Sequence, residues 1–145
     1  MEAFPHHYTV TAHSDTQTSA VSVTSAGLTN LSTDAPAEFG GPGDQWSPET
    51  LVMAAVADCF VLSFRAISRA SKVDWSSISC EATGTLDRVD RKTLFTEIGL
   101  SVSVTAPSGV DREKLMRMLE KSEESCLITN SMTANVSLVT DVQIG

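Results

Sequence analysis

The first 64 residues of this 145-residue chain contain no lysine and no arginine; all ten basic residues lie from Arg65 onward. Eighteen acidic side chains leave a net charge of −8. Nucleic acid and anionic membrane surfaces both require clustered Lys and Arg, so neither is expected as a partner. Cysteine is scarce too, with three in the chain. In a reducing compartment three cysteines do not make a disulfide framework. No uninterrupted apolar run reaches the ~18–20 residues that span a bilayer. The start, Met1-Glu2-Ala3-Phe4-Pro5, has neither a basic n-region nor an apolar h-region, so a cytoplasmic location is expected. Nothing repeats internally and the composition does not shift. With 41% hydrophobic and 19% charged residues, the expectation is one globular domain over residues 1–145 around one core.

Hydrophobic periodicity supplies the elements. Tyr8–His13, Ser19–Thr24 and Leu28–Ser32 alternate as short strands of a meander, with Gly27 as a break. Phe39-Gly40-Gly41-Pro42-Gly43 is too rich in Gly and Pro for regular structure. It is a poor phosphate loop, because no Lys follows and the next helix opens with Glu49, which repels an anion. That helix has strong start signals: Ser47 to cap it, Pro48 at its first position and Glu49 at the positive end of the dipole. Leu51 to Ile67 is apolar nearly all round, which predicts burial on all sides, by sheet and by a second chain. In a dimer, Leu51, Phe60 and Phe64 are expected to face that second chain. Trp75–Asp87 and Leu94–Val104 alternate around the charged segment Asp87–Lys92, forming a long hairpin. Asp111 caps a second, amphipathic helix through Leu115, Met118 and Leu119, ending near Ser125-Cys126. Asn135–Ile144 is a last strand. The order β-β-β-α-β-β-α-β indicates an α+β fold, with a long central helix wrapped by antiparallel sheet.

The chemistry rests on two thiols. Cys59 lies within the apolar helix and Cys126 just beyond the second helix, which suits an attacking and a resolving cysteine. A thiol reacts as thiolate, and an apolar helix raises its pKa, so something must favour the charge. Asp58 beside it has the wrong sign. Glu49 lies ten residues earlier, ~15 Å along a helix, and could approach Cys59 only if two copies of the helix packed antiparallel. Cys80 shares an alternating face with Ile78 and Ala82 and reads as core. His6, His7 and His13 show no metal-ligand spacing, so neither a metal nor another cofactor is expected.

Gly40-Gly41-Pro42-Gly43, then Ser47-Pro48-Glu49-Thr50-Leu51, then Ala54-Ala55-Val56-Ala57-Asp58-Cys59-Phe60 resemble the signature of the OsmC/Ohr family, the osmotically inducible and organic hydroperoxide resistance proteins. Cys126, followed by Asn135-Val136 entering the last strand, resembles that family's second-cysteine region. The likeness spans almost the whole chain. It implies an intertwined homodimer with interface active sites, in which Cys59 attacks an organic hydroperoxide and becomes a sulfenic acid. Cys126 then condenses with it to a disulfide, which a lipoyl-type dithiol or small thiol reduces, and Glu49 belongs to the site. One departure is large. The family's arginine comes from the early strand-turn-strand region, here His13-Ser14-Asp15-Thr16-Gln17-Thr18, which has no basic side chain but His13. Protonated His13, or Arg65 or Arg69 from a partner chain, are the candidates to replace it. Asp58, where peroxidase members tend to carry a small neutral residue, and Leu127, where a proline is common, are further differences. The competing expectation is a small-molecule binding or redox-sensing protein on the same fold, with an altered shell around the thiols.

Overall fold

The computed structural model describes residues Met1–Gly145, which divide into two compact units, Met1–Leu51 and Val52–Gly145. In the first unit, β1 (Thr11–His13), β2 (Val21–Thr24) and β3 (Leu31–Thr33) form an antiparallel meander in that order. The strands are shorter than the alternation predicts. Tyr8–Val10 lie outside the ladder, and β3 begins at Leu31 rather than Leu28. Gly27 adopts a left-handed φ of 76°, and the Leu28 amide closes a turn onto the Ser25 carbonyl. The next residues are spent reaching the register in which Leu31 faces Val23.

The glycine-rich loop packs tightly on itself. A single 3-10 turn, Ala37–Phe39, ends at Gly40 in the left-handed region, and the Gly41 amide donates to Pro36 O. A Cβ on Gly41 would overlap the carbonyl of Ala35, so glycine is required there for close backbone approach. The Asp34 amide donates to Trp46 O at 3.0 Å and Thr33 bridges Trp46, which ties the two ends of the loop together. Gly41→Ala should therefore lower stability by about 1–3 kcal/mol, as overpacking does. Its thermal melt tests this: an unchanged midpoint would show that the loop rearranges freely.

Helix α1 (Pro48–Ser71) starts as its sequence predicts. Ser47 Oγ accepts from the Thr50 amide at 3.1 Å while Thr50 Oγ1 accepts from the Ser47 amide at 2.9 Å. This is a capping box with Thr in the place usually held by Glu or Gln. At its other end Lys72 turns left-handed, and Val73 and Lys72 amides return to the carbonyls of Ser68 and Arg69, a Schellman closure.

The second unit contains the rest of α1, the hairpin β4 (Ser77–Val89) and β5 (Lys92–Ala106), α2 (Arg112–Glu124), α3 (Leu127–Asn130) and β6 (Asn135–Ile144). Asp90 and Arg91 both have positive φ, so the hairpin turns in two residues, the geometry that matches strand twist; β5 extends beyond Leu94–Val104 at both ends, while β4 starts later than Trp75 and runs on past Asp87. The sheet order is β4-β5-β6, with β4 and β5 antiparallel. Here the expected antiparallel sheet needs correction: β6 runs parallel to β5. The connection between them carries α2, and a helical crossover returns the chain to the same end of the sheet, which makes the next strand parallel.

The core joins Val56, Phe60 and Phe64 of α1, Ile98 to Val104 of β5, Leu115, Met118 and Leu119 of α2 and Val142 of β6. Asp111 Oδ1 caps α2 at the Glu113 and Lys114 amides, and Arg112 Nη1 donates to Val142 O, seating the helix on β6. Burial on α1 is confined to Val56, Phe60, Phe64 and Ser68, one stripe at four-residue spacing. The expectation of burial all round is thus overturned within the chain, and Leu62 is 50% exposed. Phe60 and Phe64 are committed to the chain's own core rather than to a second chain. The 24-residue helix is also long and apolar enough to cross a membrane by length and composition, although its apolar run is interrupted by polar residues. Its Phe60–Phe64 stripe is instead spent on the sheet.

Candidate active site

Cys59 sits on α1, one residue before Phe60, so the turn that buries Phe60 leaves the Cys59 sulfur half-buried at the edge of the core. Cys126 terminates the α2 segment. Its backbone is extended, its amide donates to Glu123 O, and its carbonyl accepts from Asn130 at 2.9 Å as the short helix α3 begins. This extra helical turn was not evident from periodicity, since four residues carry no period. It places the fully buried Cys126 side chain next to the Cys59 thiol.

An apolar cavity of about 430 Å³ opens over Cys59, walled by Ala55, Leu62 and Ala66 of α1 and by Leu127 and Ile128 of α3. Asp58 and Ser63 are its polar members, and no Lys, Arg or His lines it. The chain thus brings together the two cysteines singled out in the sequence. Arg65 and Arg69 lie elsewhere, lining an open cavity of about 450 Å³ with Lys72 and Trp75 at the C-terminal end of α1. His13, well exposed in β1, lies 3.9 Å from the Asp15 carboxylate. Cys80 packs against the core, as its alternation predicted.

The two thiols have opposite leanings. Burial pushes Cys59 above its usual 9.0, the Ile128 amide opposes this, and the hydrogen bond to Cys126 and negative charge there raise it further. Burial also acts to raise Cys126. Hydrogen bonding from the Thr129 hydroxyl and amide, the Cys59 thiol and the Ile128 amide outweighs burial and holds Cys126 below 9.0. The Cys126 sulfur closes no capping bond of ordinary geometry, so the amides act on it chiefly as aligned dipoles. The Thr129 hydroxyl donates to Cys126 O at 3.2 Å. Cys80 is pushed up to about 11, first by burial and then by negative charge at Cys126.

In the first unit, Glu49 lines a separate apolar cavity of about 460 Å³ together with Asp34, Val21, Val23, Phe39 and Leu51. Glu49 Oε1 and Asp34 Oδ2 are both buried without a hydrogen-bond partner. Asp34 was not singled out in the sequence; its place follows from the Thr33–Trp46 bridge, which only the folded loop reveals.

Two neighbouring thiols, one buried and one opening into an apolar cavity, lie on an α+β scaffold. Residues 41–141 match the family described as OsmC-like protein, and the chain belongs to that family. It is 21% identical to the uncharacterized protein YmaD of Bacillus subtilis over 142 residues, 96% of this chain and 95% of that one. It is 28% identical to the peroxiredoxin OsmC of Escherichia coli over 92 residues, 63% of this chain and 64% of that protein. Among solved structures, an OsmC-like protein of unknown function from Vibrio cholerae superposes with a TM-score of 0.84 at 20% identity, covering 95% of this chain and 99% of that one. An organic hydroperoxide resistance protein from Elizabethkingia anophelis superposes with a TM-score of 0.77 at 20% identity, covering all of both chains. These likenesses agree with the α+β architecture, and the family's character is consistent with peroxiredoxin-like hydroperoxide resistance.

Proposed function

We propose that the chain is a thiol-dependent peroxidase that reduces organic hydroperoxides in the cytoplasm, as part of an antioxidant stress response. The observation that carries this reading is the placement of Cys59 in an apolar cavity with the buried Cys126 as its neighbour. Apolar walls suit the alkyl part of an organic hydroperoxide better than hydrogen peroxide, which has no apolar part to bury. Cys59, at the cavity, attacks; the neighbouring Cys126 condenses with the sulfenic acid to form a disulfide. A lipoyl-type dithiol or a small thiol then restores both thiols by exchange.

The working form is a homodimer in which the whole chain acts as one OsmC-like domain. Two observations support it: the apolar face of α1 left uncovered around Leu62, and the two orphaned carboxylate oxygens of Glu49 and Asp34. A buried carboxylate oxygen without a donor is costly, so a cation or donor from a second copy is expected there. Arg65 and Arg69 are the candidates. The alternative, a small-molecule binding or redox-sensing protein, draws on the lack of any basic side chain around the Cys59 cavity. Exposure to cumene hydroperoxide, followed by mass spectrometry of unreduced peptides, decides between them. A Cys59–Cys126 disulfide is expected; thiols that stay reduced would sink the peroxidase reading.

A further inference from the structure

The α1 wall of the Cys59 cavity is two adjacent rows at four-residue spacing: Ala55, Cys59 and Ser63 form one, and Asp58, Leu62 and Ala66 the other. Asp58 is therefore part of the cavity, one row across from the thiol and next to it in the chain. Consecutive Cα atoms are ~3.8 Å apart, so a molecule whose reactive end meets Cys59 has its neighbouring atoms beside the Asp58 side chain. Asp58 is exposed and forms no ion pair within the chain. Apolar walls of low dielectric strengthen the field of such a charge over its value in open water.

The homodimer proposed above leaves this charge in place. If two copies of α1 pack antiparallel so that Glu49 of one approaches Cys59 of the other, the segment laid over the cavity comes from the first 64 residues, which hold no Lys or Arg. What that segment brings is another carboxylate. If Arg65 and Arg69 are the cations that meet the orphaned oxygens of Glu49 and Asp34, two positive charges face two negative ones, and Asp58 is still the surplus.

We infer that Asp58 is a specificity-determining residue: its carboxylate makes the Cys59 cavity select organic hydroperoxides that are neutral or cationic near the –OOH group and reject those with a carboxylate or phosphate close to it. The choice of substrate rests on the peroxidase reading, whereas the negative field at Cys59 does not depend on it. The apolar walls accept the alkyl part of either kind of molecule, so charge rather than shape decides between them. Asp58 exchanges no proton and no electron in the reaction. It acts through the field that an arriving molecule meets, as a repulsive element against one class of substrate.

The first arm of the test needs no peroxide. Full-length wild type and Asp58→Asn are alkylated with iodoacetate, an anion, and with iodoacetamide, its neutral counterpart. The rates are read by mass spectrometry of the Cys59 peptide and divided by those for free 2-mercaptoethanol. Wild type should then disfavour iodoacetate roughly 10-fold, the size expected of like charges a few ångströms apart at a protein surface. Asp58→Asn keeps the side chain's shape and should bring the ratio to within about 2-fold of unity, as should about 1 M salt with wild type, where charges are screened beyond ~3 Å. A ratio near unity in wild type, or one that Asp58→Asn leaves unchanged, overturns the inference. The second arm compares turnover of 3-hydroperoxy-3-methylbutanoate with that of its methyl ester. Wild type should favour the ester by a similar factor in kcat/KM, and Asp58→Asn should close the gap. Any change in the reactivity of the thiol itself affects both substrates alike and cancels in the ratio. Equal kcat/KM for acid and ester in wild type would also overturn the inference. If wild type consumes neither hydroperoxide, the peroxidase reading falls, and the alkylation ratio alone decides whether Asp58 governs access to Cys59.

Discussion

Cys59→Ser is expected to reduce the consumption of organic hydroperoxide to the uncatalysed background, with no second thiol taking over. A serine hydroxyl keeps the size of the side chain but is a far weaker nucleophile than a thiolate. The other two cysteines are poor substitutes for separate reasons. Cys126 is fully buried, so a hydroperoxide in the cavity cannot reach it. Cys80 packs against the core from β4, and burial holds its thiol protonated up to about 11. Cys126→Ser differs in kind: it should retain a slow single oxidation of Cys59 and lose the disulfide. The measurement is hydroperoxide remaining over time with excess dithiol, for wild type and both variants. Turnover by Cys59→Ser above the protein-free control would show that another sulfur attacks and that the assignment of roles is wrong.

Phe60→Ala is expected to remove about 3–5 kcal/mol of folding stability, the cost of deleting an aromatic ring from a packed core. Phe60 has no exposed surface and belongs to the cluster that joins α1 to β5 and α2. Folded domains hold only ~5–15 kcal/mol in total, so the variant should be marginal at ambient temperature. Urea unfolding provides the measurement. A large fall in midpoint with little change in slope marks lost stability rather than a changed unfolded state. A loss under about 1 kcal/mol, the scale of a surface substitution, would mean that the α1 stripe is not the core contact described above.

The start of α1 was legible to the residue, because Ser47, Pro48 and Glu49 act through bonds and charges within one turn. The hairpin and α2 were legible because they repeat a period over more than ten residues. Three features were not. The parallel pairing of β6 depends on where a crossover returns the chain, which no local pattern encodes. The helix α3 is a single turn and has no period to read. The face of α1 that is buried could not be chosen from a run apolar on nearly all sides, and Phe60 and Phe64 were expected to face a partner when they complete the chain's own core. At the candidate site, the pairing of Cys59 with Cys126 came from their places on the two helical segments, and Glu49 and the peroxide chemistry came from the resemblance. The unequal burial of the two sulfurs, and the company of Asp34 with Glu49, came only from the folded chain.

The full burial of Cys126 also gives the reverse reaction a direction. A disulfide has two sulfurs, and exchange can begin at either. An incoming dithiol reaches this one from the cavity side and so meets Cys59 first, which makes Cys126 the departing sulfur. Departure is faster for the thiol with the lower pKa, and Cys126 is the one held low by Thr129 and Ile128. Access and leaving-group ability therefore agree on one outcome: the transient adduct with the reductant forms on Cys59, while Cys126 returns to its buried niche.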